Sequence, residues 1–440
     1  MLESYRQWVS GIDLPVILML GIFIVAGRLL VLLFEKLRLP SIVGLLVAGA
    51  ILGSSGLGLI NNRDIEALSF LSHLALAFVA LSLGLEFRAT TIRSLGAGIS
   101  VLIIFECFLT FSLITAGVWL VTGSLPFGLA AGAVGAASAP TGPLAIVSEF
   151  KARGPLTSAM LAITGFDDAI SIVIFSFAST LAVSLYARNI GYVPEGGDGA
   201  ETSLIHQLVL EPLLEIGLAV LIGVLLGYLY RLLTRKINDG HILFLWIMGM
   251  MFLAEGLSFV FHYSLILCNM IMGVVIINQI SSAQAAKLLR ALEFLMPIIF
   301  VLFFVFAGAQ LDVRLIPSIG LAGLVYTVCR MVGKWLGATS GAGIAKLSPN
   351  IRKYSWAGLL SQVGVGLGLA LVLIDKLRPL GSEAVAMGRQ VLVIVTATSI
   401  IFEVIAPILT KRVLLRAGEI HLGPDGKLLV EEDSDDEDDD

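Results

Sequence analysis

Charge is scarce in this chain. Lys, Arg, Asp and Glu make up 14% of the 440 residues against 57% hydrophobic types, and the mean hydropathy is +0.96. A water-soluble domain carries about 25% charged residues, so that class is excluded. Cysteine is scarcer still: Cys107, Cys268 and Cys329 lie far apart in separate apolar runs, which rules out a disulfide framework and a thiolate metal motif. The five histidines, His73, His206, His241, His262 and His421, show no ligand spacing. Gly364, Gly366 and Gly368 form a glycine series, but inside an apolar run rather than after a strand, so a phosphate loop is not expected. With no nucleophile, metal or cofactor set in view, an enzyme, a bound cofactor and a nucleic-acid partner are not expected.

What the chain has in abundance is apolar length. About 20 apolar residues cross a bilayer as helix, and thirteen runs qualify as expected spans: 14–34, 41–60, 65–85, 98–121, 125–147, 156–186, 209–232, 241–261, 265–280, 292–309, 319–344, 355–374 and 391–413. The fold class is therefore an all-α polytopic membrane protein embedded in a lipid bilayer. With the amino terminus (1–13) outside, seventeen Lys and Arg fall in cytoplasmic segments and seven on the opposite side, the asymmetry that sets orientation. The loop after span twelve is the exception, with Lys376, Arg378 and Arg389 on the wrong side. The membrane domain covers 14–416. A cytoplasmic tail, 417–440, ends in nine acids over Glu431–Asp440 and is expected to be solvated and disordered.

Function is carried by charges that apolar runs should not hold. Asp167 and Asp168 are adjacent within the sixth span. One carboxylate at the centre of a membrane helix costs roughly 2.5–3.5 kcal/mol, and a second beside it costs more. In the preceding span, Ser138-Ala139-Pro140-Thr141-Gly142-Pro143 interrupts the helix, because two prolines remove two amide donors and crowd the carbonyls behind them. Backbone freed in this way must be buried or line a wet cavity; with two acids nearby, hydroxyls of Ser138 and Thr141 and carbonyl oxygens are candidate ligands for a small cation. A second interruption, Ser361-Gln362-Val363-Gly364-Val365-Gly366, falls in span twelve. Spans five and twelve are seven apart, an odd offset, so the matching helices run in opposite directions. Spans two to six (41–186) and nine to thirteen (265–413) are thus expected to be two inverted five-helix repeats with crossed broken helices.

Span eleven supplies positive charge. Arg330 and Lys334 are four apart and share a helix face, and Gly333, Gly337 and Gly341 form a ridge that admits a close neighbour. Arg330 either snorkels to the interface or pairs inward; Lys334, deeper among the glycines, has the stronger claim on an aspartate. Glu106, Glu255 and Glu403 also lie in apolar runs, where each either pairs with a base or faces a cavity. Glu86, Glu211 and Glu215 sit near span ends and are assigned no role.

In order and spacing, Lys36–Gly53 (KLRLPSIVGLLVAGAILG), LGLEFR at 83–88, GFDDA at 165–169, RMVGKWLG at 330–337 and EVIAPIL at 403–409 resemble the monovalent cation/proton antiporter superfamily. The branch is the one with paired aspartates, which includes bacterial sodium/proton antiporters and potassium-efflux exchangers. The resemblance covers roughly 14–416. It implies that Asp168 is the essential ion-binding carboxylate, holding a monovalent cation (Na+ or K+) or a proton in competition. It further implies that Asp167 is its neighbour and that Lys334 pairs with Asp167, as in charge-moving members. Ser138–Pro143 and Gln362–Gly368 match the family's broken helices, although the first lacks an aspartate that some branches place there. A homodimer in a bacterial or archaeal plasma membrane is expected on the same basis and on the general preference for two-fold assembly. A potassium-efflux or channel-like exchanger and a sodium-coupled organic-anion symporter of similar fold remain the alternatives.

Overall fold

Runs of Leu, Ile, Val, Ala and Gly with few polar interruptions can satisfy their backbone in lipid only as helix, and helix is what they form. In a computed structural model, the described residues are 15–36, 41–53, 56–60, 64, 68, 70–139, 143, 146–147, 150–191, 210–261, 263–311, 316–362 and 365–420. Among them the principal helices are α1 (Val16–Lys36), α2 (Ser41–Leu52), α3 (Phe70–Glu86), α4 (Ala89–Thr122), α5 (Leu125–Gly135), α6 (Pro155–Asn189) and α7 (Glu211–Thr234). They continue with α8 (Gly240–Phe261), α9 (Leu265–Ile277), α10 (Ser282–Ala309), α11 (Ile316–Ile344), α12 (Pro349–Tyr354), α13 (Val365–Leu377) and α14 (Ser382–Ala417). No strand occurs among the described residues.

Each of the thirteen expected spans meets a helix. By length and apolarity α1, Gly96–Thr122 of α4, α6, Leu213–Thr234 of α7, α8, α10 and α14 are long enough to cross a membrane, while α2, α5 and α9 are shorter apolar helices. Several boundaries differ from the hydropathy reading. The second helix stops at Leu52, where the chain turns through Gly58 at φ 68°. The tenth starts well before residue 292, at Ser282, because Ser281 and Gln284 form a reciprocal capping box ahead of helical turns bearing Lys287 and Arg290.

The two halves repeat with a constant offset of 224 positions. Gly49 and Gly273, Gly84 and Gly308, Gly96 and Gly320, and Ser124 and Ser348 are equivalent (273 − 49, 308 − 84, 320 − 96, 348 − 124). A Cβ on Gly49 would meet the Val305 carbonyl and Gly308, and one on Gly84 would meet the Met270 carbonyl and Gly273. The α2–α10 contact is therefore made a second time as α9–α3. Gly96 and Gly320 kink α4 and α11 with φ of 74° and 33°, a region open to glycine. Ser124 and Ser348 each cap a helix that opens with proline in its first turn.

Helices α1–α3 and α7–α10 pack mainly on one another, as do α4–α6 and α11–α14, and the two bundles meet chiefly where α3, α7 and α9 touch α6 and α13. The start of α6 is held by Glu419, just beyond α14. Its carboxylate accepts from the amides of Leu156 and Thr157 and from the Thr157 hydroxyl, each at 2.7 Å. This anion caps a helix amino terminus, where the dipole favours it.

Candidate functional site

The site begins with backbone. Helix α5 ends at Gly135, and the 3-10 turn Ser355–Leu359 ends before α13 begins at Val365. The two interruptions touch: the Ala139 amide donates to the Ser361 carbonyl at 2.8 Å. Carbonyls released by the breaks converge on Arg330. Its Nε donates to Gly135 O (3.2 Å), Nη1 to Leu360 O (2.7 Å), and Nη2 to Ala137 O (2.9 Å) and Ser361 O (3.3 Å). The guanidinium also stands 4.8 Å from the Phe402 ring centroid. Arg330 is fully buried, so it does not snorkel; its fixed fork of donors serves both breaks at once.

One turn further along α11, the glycine ridge finds its neighbour in α4. A Cβ on Gly333 would approach the Thr110 Cα to 2.6 Å, on Gly337 the Glu106 Cα to 2.5 Å, and on Gly341 the Leu102 Cα to 2.7 Å. This closeness brings Glu106 to Lys334. The Lys334 Nζ lies 2.5 Å from Glu106 Oε1, donates to Ala136 O at 2.6 Å, and stands 3.5 Å from Asp167 Oδ2. All three charged residues are fully buried and Asp168 is 2% exposed. Lys334 thus reaches both acids, and the nearer is Glu106, one of the apolar-run acids for which a basic partner or a cavity was expected. Thr110 and Cys107 also donate to Glu106, at 3.4 and 3.3 Å.

Around this centre, Ser138 is buried, Gln362 donates to the Tyr326 hydroxyl, and the Ser361 hydroxyl donates to Glu403. Pro143 is buried in a helical turn. Pro140, Thr141 and Gly364 lie outside the described residues. Tyr326 and Ser361 carry polar contacts that sequence reading passed over. Ligand atoms of Glu106, Cys107 and Asp167 all fall within 4.8 Å of one another, yet the Lys334 ammonium already occupies Glu106. A divalent metal does not fit that arrangement.

A second group of charges lies apart from this centre, and of its members only Glu255 was expected to pair with a base or face a cavity. His73 contacts Glu255 at 3.0 Å and Asp375 at 3.1 Å. Lys376 meets Glu215 at 2.6 Å, and Arg378 meets Asp375 at 2.8 Å. These acids explain why two of the basic residues after span twelve oppose the loop-charge asymmetry: they are neutralised where they stand.

Buried, paired charges at the crossing of two interrupted helices in an inverted-repeat membrane bundle define a transporter rather than an enzyme. The chain belongs to the sodium/hydrogen exchanger, transmembrane family, whose model matches residues 21–416. It resembles the sodium proton antiporter MjNhaP1 from Methanocaldococcus jannaschii at pH 8, with a TM-score of 0.74 and 18% identity, covering 91% of this chain and 98% of that one. An electron-microscopy structure of the same antiporter gives a TM-score of 0.70 at 18% identity over 92% and 99% of the two chains. At that identity the likeness shows the fold. The chain is also 43% identical over 68 residues to the Na(+)/H(+) antiporter NhaS5 of Synechocystis sp., a match spanning 14% of this chain and 10% of that protein's length.

Proposed function

We propose that the protein exchanges a monovalent cation for protons across a membrane, with the Asp168 and Asp167 carboxylates taking either ion in turn. The observation that carries this reading is Asp167: it is fully buried, and neither of its oxygens has a hydrogen-bond partner among the described residues. A buried carboxylate whose ion-pair partner, Lys334, stands off at 3.5 Å is costly inside a membrane bundle, and a proton or a small cation relieves that cost. Occupancy by one excludes the other. Loading at the crossing is followed by rocking of the α4–α6 and α11–α14 bundle against its neighbour, so that the site faces each side alternately. The two bundles touch through few elements, which suits such motion. Loop charge supports an external amino terminus and a cytoplasmic carboxyl terminus, and the resemblance supports a homodimer.

The test is proton flux in proteoliposomes challenged with Na+, K+ and Li+ in turn. Wild type is expected to move protons with at least one of them, and the order of the three reads the selectivity. Asp168→Asn is expected to abolish every cation-dependent flux; normal exchange by that variant would overturn the assignment.

A further inference from the structure

Glu106 is not one of the paired aspartates, yet it holds Lys334 more closely than they do. An ammonium has three donors. Two are spent at short range, on Glu106 Oε1 at 2.5 Å and Ala136 O at 2.6 Å, while Asp167 Oδ2 stays at 3.5 Å, beyond ordinary hydrogen-bond length. Glu106 is itself fixed. Its Cα lies against Gly337 of α11, and Thr110 and Cys107 donate to its two oxygens. The Cys107 thiol also reaches the Asp167 carbonyl at 3.7 Å and accepts from Ser171 at 3.8 Å, which ties this wall to α6.

We infer that Glu106 is a positioning residue that draws Lys334 aside and keeps the Asp167 carboxylate open for the transported cation. Without it, the flexible lysine closes on Asp167 and becomes an internal competitor for the site. This rests on the exchanger reading above and adds to it a residue that sets apparent cation affinity.

The experiment measures cation-dependent proton flux at varied Na+, or at varied concentration of whichever alkali cation wild type prefers. Four reconstituted proteins are compared: wild type, Glu106→Gln, Lys334→Gln and the double variant. Glu106→Gln is expected to raise the apparent KM about tenfold or more, the equivalent of one charge-assisted hydrogen bond, with the maximal rate changed far less. Glu106→Asp is expected to recover part of that affinity. In the Lys334→Gln background, adding Glu106→Gln is expected to leave KM unchanged, because the competitor is already gone. The inference is overturned if Glu106→Gln lowers the maximal rate at constant KM, or if it shifts KM equally with and without Lys334. Should the single variant fail to assemble, the comparison between Lys334→Gln and the double variant decides: any further rise in KM sinks the idea. Absence of cation-dependent flux in wild type would instead remove the exchanger reading, and this inference with it.

Discussion

Two groups of paired charge in this molecule look alike in composition and differ in what they join. At the crossing, Lys334, Glu106, Asp167 and Arg330 belong to α4, α6 and α11, all within one bundle, and none is exposed. In the second group, His73, Glu215, Asp375 and Lys376 line a cavity of about 490 Å3 between the bundles, near the ends of α6 and α13. There Lys376 of α13 contacts Glu215 of α7 and donates to Thr180 of α6 at 3.1 Å, Thr180 also donates to Glu215, and His73 of α3 meets Asp375 of α13. Side chains of these ion pairs are 11–32% exposed. Pairs inside one body travel with it; pairs that bridge two bodies must open whenever one body moves past the other. The first group therefore has the geometry of a fixed site and the second that of a releasable tie.

The comparison is broken most severely by removing Arg330. Arg330→Gln takes the guanidinium donors from the carbonyls of Gly135, Ala137, Leu360 and Ser361, of which Ser361 keeps the Ala139 amide. Each buried acceptor left unpaired costs about 1–3 kcal/mol. The expected result is a large loss of monodisperse protein after detergent extraction and a strongly lowered melting temperature. Arg330→Lys should recover little, because a single ammonium cannot span four acceptors. Wild-type stability in either variant would show that the crossing holds without its clamp.

How much of this was legible beforehand follows the range of the signal. The spans, both interruptions and the aspartate pair are local features, read from apolar length, from Pro140 and Pro143, and from two adjacent letters. The face shared by Arg330 and Lys334 is also local, since four residues make one helical turn. Which acid Lys334 meets is not, because Glu106 is brought to it by the packing of Gly333, Gly337 and Gly341 on α4, and a glycine ridge does not name its neighbour. The offset of 224 is written in the chain, for Glu106 and Arg330 as for Gly84 and Gly308. It rests on isolated positions among 46 glycines, too sparse to stand out before the helices are paired. The start of α10 was missed because its capping box is polar and lies beyond the apolar run that hydropathy follows. His73 shows no metal spacing, and its partners lie 182 and 302 residues away in the chain, beyond the reach of any local pattern.

A smaller but sharper perturbation addresses the tie between bundles. With cysteines in place of Lys376 and Glu215, a short bifunctional thiol reagent should couple α13 to α7 across the cavity. Cys107 and Cys268 are buried and Cys329 is partly so, so a background with Cys329 alone replaced keeps the reaction on the introduced pair and leaves the Cys107 contact with Glu106 intact. Coupling is expected to stop cation-dependent proton flux, and a reagent with a reducible spacer should let flux return after reduction. A control link inside one bundle, between Glu255→Cys and His73→Cys, should leave exchange running. Flux that survives coupling of α13 to α7 would mean that these helices do not separate during the cycle, and the distinction between fixed site and releasable tie would fall.

The smallest effect separates the two groups on energetic grounds. Asp375→Asn removes the carboxylate shared by His73 and Arg378, but both bases are partly exposed and His73 keeps Glu255. Partly solvated pairs are worth about 0.2–1 kcal/mol, far less than the buried clamp. A double-mutant cycle with His73→Gln and Asp375→Asn, read by thermal unfolding in detergent, should return a coupling in that range and should leave exchange in place. A weak tie is what a moving interface requires, since a contact as strong as the Arg330 clamp would hold one state and stop the cycle. A loss from Asp375→Asn comparable to that of Arg330→Gln would place the second group among the structural contacts and leave the cavity between the bundles without a role in motion.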